Sequence, residues 1–212
     1  MHRSYRAVVF LSVIAFNGDG LQCTNLIGDE IVLTQDSVGG LDAVINGSGG
    51  DHVPDVLSEI PGVQRVFIQW TDSSVAGTDW VKLSQCAELV YVSITCEGVL
   101  TETDADTLCT VGALRTLLFP KVKLSDDSAE TLSRLKELRS LMFDGSCITA
   151  VGMRVLADAP EIRAIHICGD SGHLPDSVFQ ELVNCTKQEK CVIHVTRKGA
   201  KETTVFRRQS PK

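Results

Sequence analysis

The chain has 212 residues and 43% hydrophobic content, enough for a continuous core, which excludes wholesale disorder. Its 27 acidic and 20 basic residues leave a formal net charge of −7. That balance argues against nucleic acid as a partner, because phosphate binding needs a concentrated positive surface.

The chain opens "MHRSYRAVVFLSVIAF", with Arg3 and Arg6 ahead of an apolar run from Ala7 to Phe16. That is the order of a secretory signal, and it predicts an exported protein (periplasmic, envelope-bound or secreted) with a leader over residues 1–22. The run is too short to span a bilayer as a helix, so no transmembrane span is expected. "GLQC", ending at Cys23, lacks the order a lipid-attachment site wants. The competing reading is a buried first strand or a capping segment, in which case the protein is cytoplasmic.

From Leu41 a pattern of the form L-x-x-L-x-L begins to recur. A degenerate copy, "LDAVIN", precedes "VQRVFI" from Val63, "LVYVSI" from Leu89, "LRTLLF" from Leu114, "LRSLMF" from Leu138 and "IRAIHI" from Ile162. Successive starts after Val63 are 26, 25, 24 and 24 residues apart, and a partial copy, "CVIHV", ends at Val195. Alternation of apolar and polar residues predicts a strand in each copy. The Gly-rich "GSGGD" of 47–51 has no following Lys and reads as a loop between copies.

Apolar spacing after each strand changes from period two to a helical period. Leu100, Leu124 and Ile148 are each followed by a hydroxyl residue, Thr101, Ser125 or Thr149, where a helix N-cap belongs. Asp104, Asp126 and Asp127 then fall where the helix dipole favours negative charge. Pro160 ends one such helix. Each unit therefore reads strand, turn, short helix, return, and no unit can bury its apolar face alone.

"LRSLMFDGSCITAVGMRVL", with its L-x-x-L-x-L, its Ile-Thr pair and its Gly-apolar-x-x-Leu, resembles the bacterial form of the leucine-rich repeat. The resemblance covers about Leu41 to Val195, although the Asn usual in the turn of these repeats is absent. It implies an α/β leucine-rich-repeat solenoid of about six units. A short curved parallel sheet would form the concave side and short helices the convex side. The domain would run over 23–195, followed by a basic polar tail over 196–212.

In such a stack the alternate strand residues face outward and line up between neighbours. One expected column is Phe67, Ser93, Leu118, Met142 and His166; beside it run Arg65, Tyr91, Thr116, Ser140 and Ala164. A third is Gln69, Thr95, Pro120, Asp144 and Cys168. The central column is more apolar than a solvated face needs, and such strips mark protein-binding surfaces. Arg65, Phe67, Tyr91, Leu118, Met142 and His166 are the expected partner-binding residues. The competing expectation is a terminal segment folded over this face. Arg115, Arg139 and Arg163, with Glu137 and Glu161, read as a surface ion-pair lattice worth little energy.

His166 and Cys168 share a strand face, and "CVIHV" places His194 beside His166. The spacing matches no recognised metal motif, so no metal and no cofactor is expected. The eight cysteines contain no CxxC. Cys86, Cys109 and Cys147 read as buried core residues, and Cys185 with Cys191 as the best candidate for a local disulfide. P-loop, dinucleotide, GxSxG and HExxH signatures are missing, so no enzyme activity is expected. The expected function is a non-catalytic module that binds an unidentified protein through its concave face. The alternative is a structural component of an exported envelope complex, and a metal-dependent activity stands third.

Overall fold

The structure, a computed structural model, describes residues 6–10, 13–17, 21–24, 30–35, 40–47, 57, 60–70, 80–185 and 191–208. Alternating apolar residues produce the strands, and burial shows which alternate is core. In β9 (Thr116–Leu124), β10 (Ser140–Asp144) and β11 (Ala164–Cys168), Leu117, Phe119, Leu141, Phe143, Ile165 and Ile167 are buried while their neighbours are half-exposed. The same holds for β7 (Tyr91–Ile94), through Val92 and Ile94, and for β12 (Val192–Val195), through Ile193 and Val195. A one-residue slip would turn each of these sets toward solvent, so the core fixes the register.

The fold is mixed α/β, built on one open, mostly parallel sheet. Its N-terminal part contains β3 (Leu21–Thr24), β4 (Glu30–Gln35), β5 (Leu41–Gly47) and β6 (Val63–Trp70). Its C-terminal edge is β13 (Thr204–Arg207). The order is β13–β12–β11–β10–β9–β7–β6–β5–β4–β3, with β8 (Gly98–Leu100) pairing β9 off this path. All pairs from β5 to β12 are parallel; β3–β4, β4–β5 and β12–β13 are antiparallel. The degenerate copy from Leu41 is thus the first parallel strand, with Leu41 opposite Val63.

Two further features concern the ends. Within the segment read as an export leader, β1 (Arg6–Phe10) and β2 (Val13–Asn17) pair as an antiparallel hairpin. Within the segment read as a polar tail, β13 adds a strand to the sheet, and Phe206 is buried against Phe179 at 5.3 Å between ring centroids. The Gly-rich loop read at 47–51 lies outside the described residues except for Gly47. No helix among the described residues is long and apolar enough to cross a membrane.

The helices whose bounds lie among the described residues are α1 (Trp80–Ser84), α2 (Glu102–Cys109), α3 (Asp126–Leu132), α4 (Ala150–Asp158) and α5 (Asp176–Cys185). Their buried residues join those of the strands in one core, so the helices cover a single side of the sheet. Successive helices pack on one another. Thr101, Ser125 and Thr149 are N-caps, as their spacing predicts. Thr101 and Asp104 form a reciprocal capping box, which satisfies two otherwise unpaired amides. The Thr149 hydroxyl accepts from the Val151 amide and donates to Asp126 Oδ2 at 2.6 Å. Asp126 Oδ1 takes the Thr149 amide at 2.8 Å, so the start of one helix is tied to the start of the next.

The glycine position of the unit has a packing reason. A Cβ on Gly152 would lie 3.0 Å from the Asp126 Cα and 2.9 Å from Ile148 Cγ1, so only glycine lets α4 approach α3 here. The equivalent Ser128 is buried and donates to the Leu100 carbonyl at 2.6 Å.

Candidate functional site: the outward face of the sheet

The face opposite the helices is set by strand alternation. Its central row follows the pairing register: Val44 opposite Phe67, Phe67 opposite Ser93, Ser93 opposite Leu118, Leu118 opposite Met142, Met142 opposite His166, and His166 opposite His194. Val205 of β13 continues it beyond His194. The expected column is therefore continuous in the fold, and it extends past both expected ends, through Val44 and Val205. Phe67, Leu118, Met142 and His166 are each half-exposed, and Val205 is 41% exposed. No segment among the described residues covers them completely.

The second row also follows the register, from Arg65 through Tyr91, Thr116 and Ser140 to Ala164. Tyr91 stands diagonally next to Phe67, with ring centroids 5.0 Å apart and planes tilted by 41°. That tilted contact is favourable for two aromatic rings. Arg65 is engaged within the protein: its Nε and Nη2 donate to the two carboxylate oxygens of Asp42, at 2.5 and 2.9 Å. Asp42 is the residue that sequence reasoning missed here. It sits directly opposite Arg65 in the register, at an outward position of the degenerate first copy.

The third column does not hold. Asp144 faces Cys168 as expected, but its partner on β9 is Lys123 and not Pro120. Proline has no amide to donate to a ladder. The pairing with β10 shifts after Phe143, and the far half of β9 also pairs β8. Beyond β11, Gly169 has a φ of +76°, and a Cβ there would meet the Asp144 carboxylate. The chain can turn closely over Asp144 only with glycine.

Arg115, Arg139 and Arg163 form the expected surface lattice. Arg115 and Arg139 both approach Glu137, at 3.7 and 3.9 Å, and Arg163 approaches Glu161 at 3.9 Å. These loose pairs between half-exposed side chains contribute little. Their backbones matter more: the Arg139 amide donates to the Arg115 carbonyl and the Arg163 amide to the Arg139 carbonyl, both at 2.8 Å.

At the C-terminal end of the row, His166 and His194 stack with ring centroids 4.3 Å apart and planes 8° from parallel. Burial lowers the His166 pKa, and the neighbouring His194 lowers it further. Burial lowers that of His194, helped by the positive charge of Arg207. Both imidazoles are thereby biased toward the neutral form. Cys168 lies two residues along the strand; burial, and then the Asp144 carboxylate, raise its thiol pKa. No group of three His, Cys, Asp or Glu side chains able to hold a metal ion occurs among the described residues. His173 lies apart, with Nε2 at 2.7 Å from the Ile148 carbonyl.

The cysteines correct one expectation. Cys86 is buried and Cys109 half-buried, but Cys147 is exposed in the turn before α4, so it is not a core residue. Cys191 is a free, buried thiol whose pKa burial pushes up to about 11, and the side chain of Cys185, its expected disulfide partner, lies outside the described residues. Searched against models of known protein families and against curated proteins, the sequence finds no match.

Proposed function

We propose that the chain is a leucine-rich-repeat solenoid that binds another protein, without catalysis, through the outward face of its sheet. The observation that carries this reading is the register-matched row Val44, Phe67, Ser93, Leu118, Met142, His166, His194 and Val205. It is largely apolar, half-exposed, and flanked by an aromatic ring at Tyr91. Parallel strands lie about 4.8 Å apart, so the row presents an extended strip on a rigid support. Strips of this kind become the dry centre of protein interfaces. Export of the protein, from the Arg3 and Arg6 flank and the apolar run behind it, belongs to the same proposal.

The test compares proteins captured from cell extract by the parent chain and by a triple variant, Phe67→Ser, Tyr91→Ser and Met142→Ser. The reading expects a stoichiometric partner on the parent that the folded variant loses. Equal capture by both would refute the outward face as the docking surface. The structural alternative, an assembly component without a selective groove, would then be the better account.

A further inference from the structure

We infer that the protein docked on the outward face is an acidic one: a segment whose apolar side chains lie on Leu118 and Met142 and whose carboxylates meet Arg115, Arg139 and Arg163. The inference rests on the docking reading above and names the chemistry of its partner. The three arginines take the same position in consecutive units, at the border where β9, β10 and β11 begin. Backbone bonds of 2.8 Å from the Arg139 amide to the Arg115 carbonyl, and from the Arg163 amide to the Arg139 carbonyl, fix their spacing. Adjacent strands lie about 4.8 Å apart, and like charges set side by side at that spacing repel.

The neighbouring carboxylates do not balance this border. Glu137 is shared by Arg115 and Arg139, at 3.7 and 3.9 Å, and Glu161 approaches Arg163 only to 3.9 Å. Ala113 stands where a third glutamate would serve Arg115. All three arginines are half-exposed, and each keeps donors for a carboxylate of another chain. Between them and the apolar row lie Thr116, Ser140 and Ala164. These short side chains leave room for a docked backbone, and two of them add hydroxyl donors. Tyr91 and Val192 bound the gap on the neighbouring strands. Three arginines beside an apolar strip suit a short amphipathic segment of protein, whereas a nucleic acid would need a longer run of cations. In such a contact the apolar row supplies most of the affinity, and the arginines select for charge.

Selection of short random peptides from a displayed library, with the full chain as bait, tests the inference. The enriched peptides should combine apolar residues with more Asp and Glu than the library itself. Their affinity, read by fluorescence anisotropy, should fall as sodium chloride is raised. Combining Arg115→Glu, Arg139→Glu and Arg163→Glu should weaken an enriched peptide about tenfold and turn the selection toward Lys and Arg. Arg139→Gln alone, a milder change, should weaken it less. Arg154→Glu, on α4, should leave it unchanged, and circular dichroism of each variant checks the fold. Selection without an acidic excess, an unaltered selection by the folded charge-reversed chain, or no enrichment at all would overturn the inference. The variant combining Phe67→Ser, Tyr91→Ser and Met142→Ser separates it from the docking reading. If peptides without an acidic excess are enriched on the parent and lost on this variant, the inference alone falls. If the enriched peptides still bind this variant, the docking reading falls and the inference with it.

Discussion

The two sides of the same strands obey different constraints. On β9, β10 and β11 the odd-numbered residues Leu117, Phe119, Leu141, Phe143, Ile165 and Ile167 are at most 1% exposed. The even-numbered Thr116, Leu118, Ser140, Met142, Ala164 and His166 are half-exposed and chemically mixed. Burial dictates the first set almost completely: each must be apolar and of the right volume. Stability constrains the second set less tightly, and the proposed docking row lies on that side.

Core truncation should break this contrast most strongly. Phe143→Ala should cost about 3–5 kcal/mol, read as a fall in unfolding midpoint in urea, because a fully buried ring leaves a cavity. Met142→Ser, one residue away but outward, should cost no more than about 1 kcal/mol in the same measurement. Comparable losses for the two would mean that the outward row is also core.

The side covered by helices offers two sharper probes. Gly152→Ala forces a methyl against the Asp126 backbone and should cost about 1–3 kcal/mol, where alanine in an ordinary helix would stabilise. Thr149→Ala removes an N-cap and a link to Asp126, and should cost about 1 kcal/mol by thermal or urea unfolding.

The smallest effect expected is one of pH. The folded chain lowers the pKa of His166 and His194, so in the window below the usual histidine value the unfolded state binds more protons. The associated stability is complete above about pH 6.5 and falls as pH drops below it. Unfolding midpoints between pH 7.5 and 5.5 should show the fall, and His166→Gln should reduce it.

The middle of the fold was legible because each unit carries its own instructions. Strand alternation, the hydroxyl cap and the small residue at Gly152 or Ser128 all appear as spacing, and the structure uses each for the purpose that spacing implies. The first two outward rows followed once the strands were aligned. The third failed because Pro120 interrupts the ladder and β9 runs on to pair β8, a tertiary choice that no periodicity records. The ends were harder for a related reason. β4 and β13 pair antiparallel to the repeated strands and lie outside the repeat, so the copies said nothing about them. The Asp42–Arg65 pair escaped notice because its aspartate lies in the copy that matches the pattern least.

The most direct test of the docking face places a photo-reactive amino acid, one position at a time, at Leu118 in the outward row and at Val151 on α4. Val151 is also exposed, at 67%, but belongs to the side of the helices. The account predicts a covalent adduct with a single partner protein from Leu118 and none from Val151. Adducts from Val151 alone, or equally from both, would contradict it.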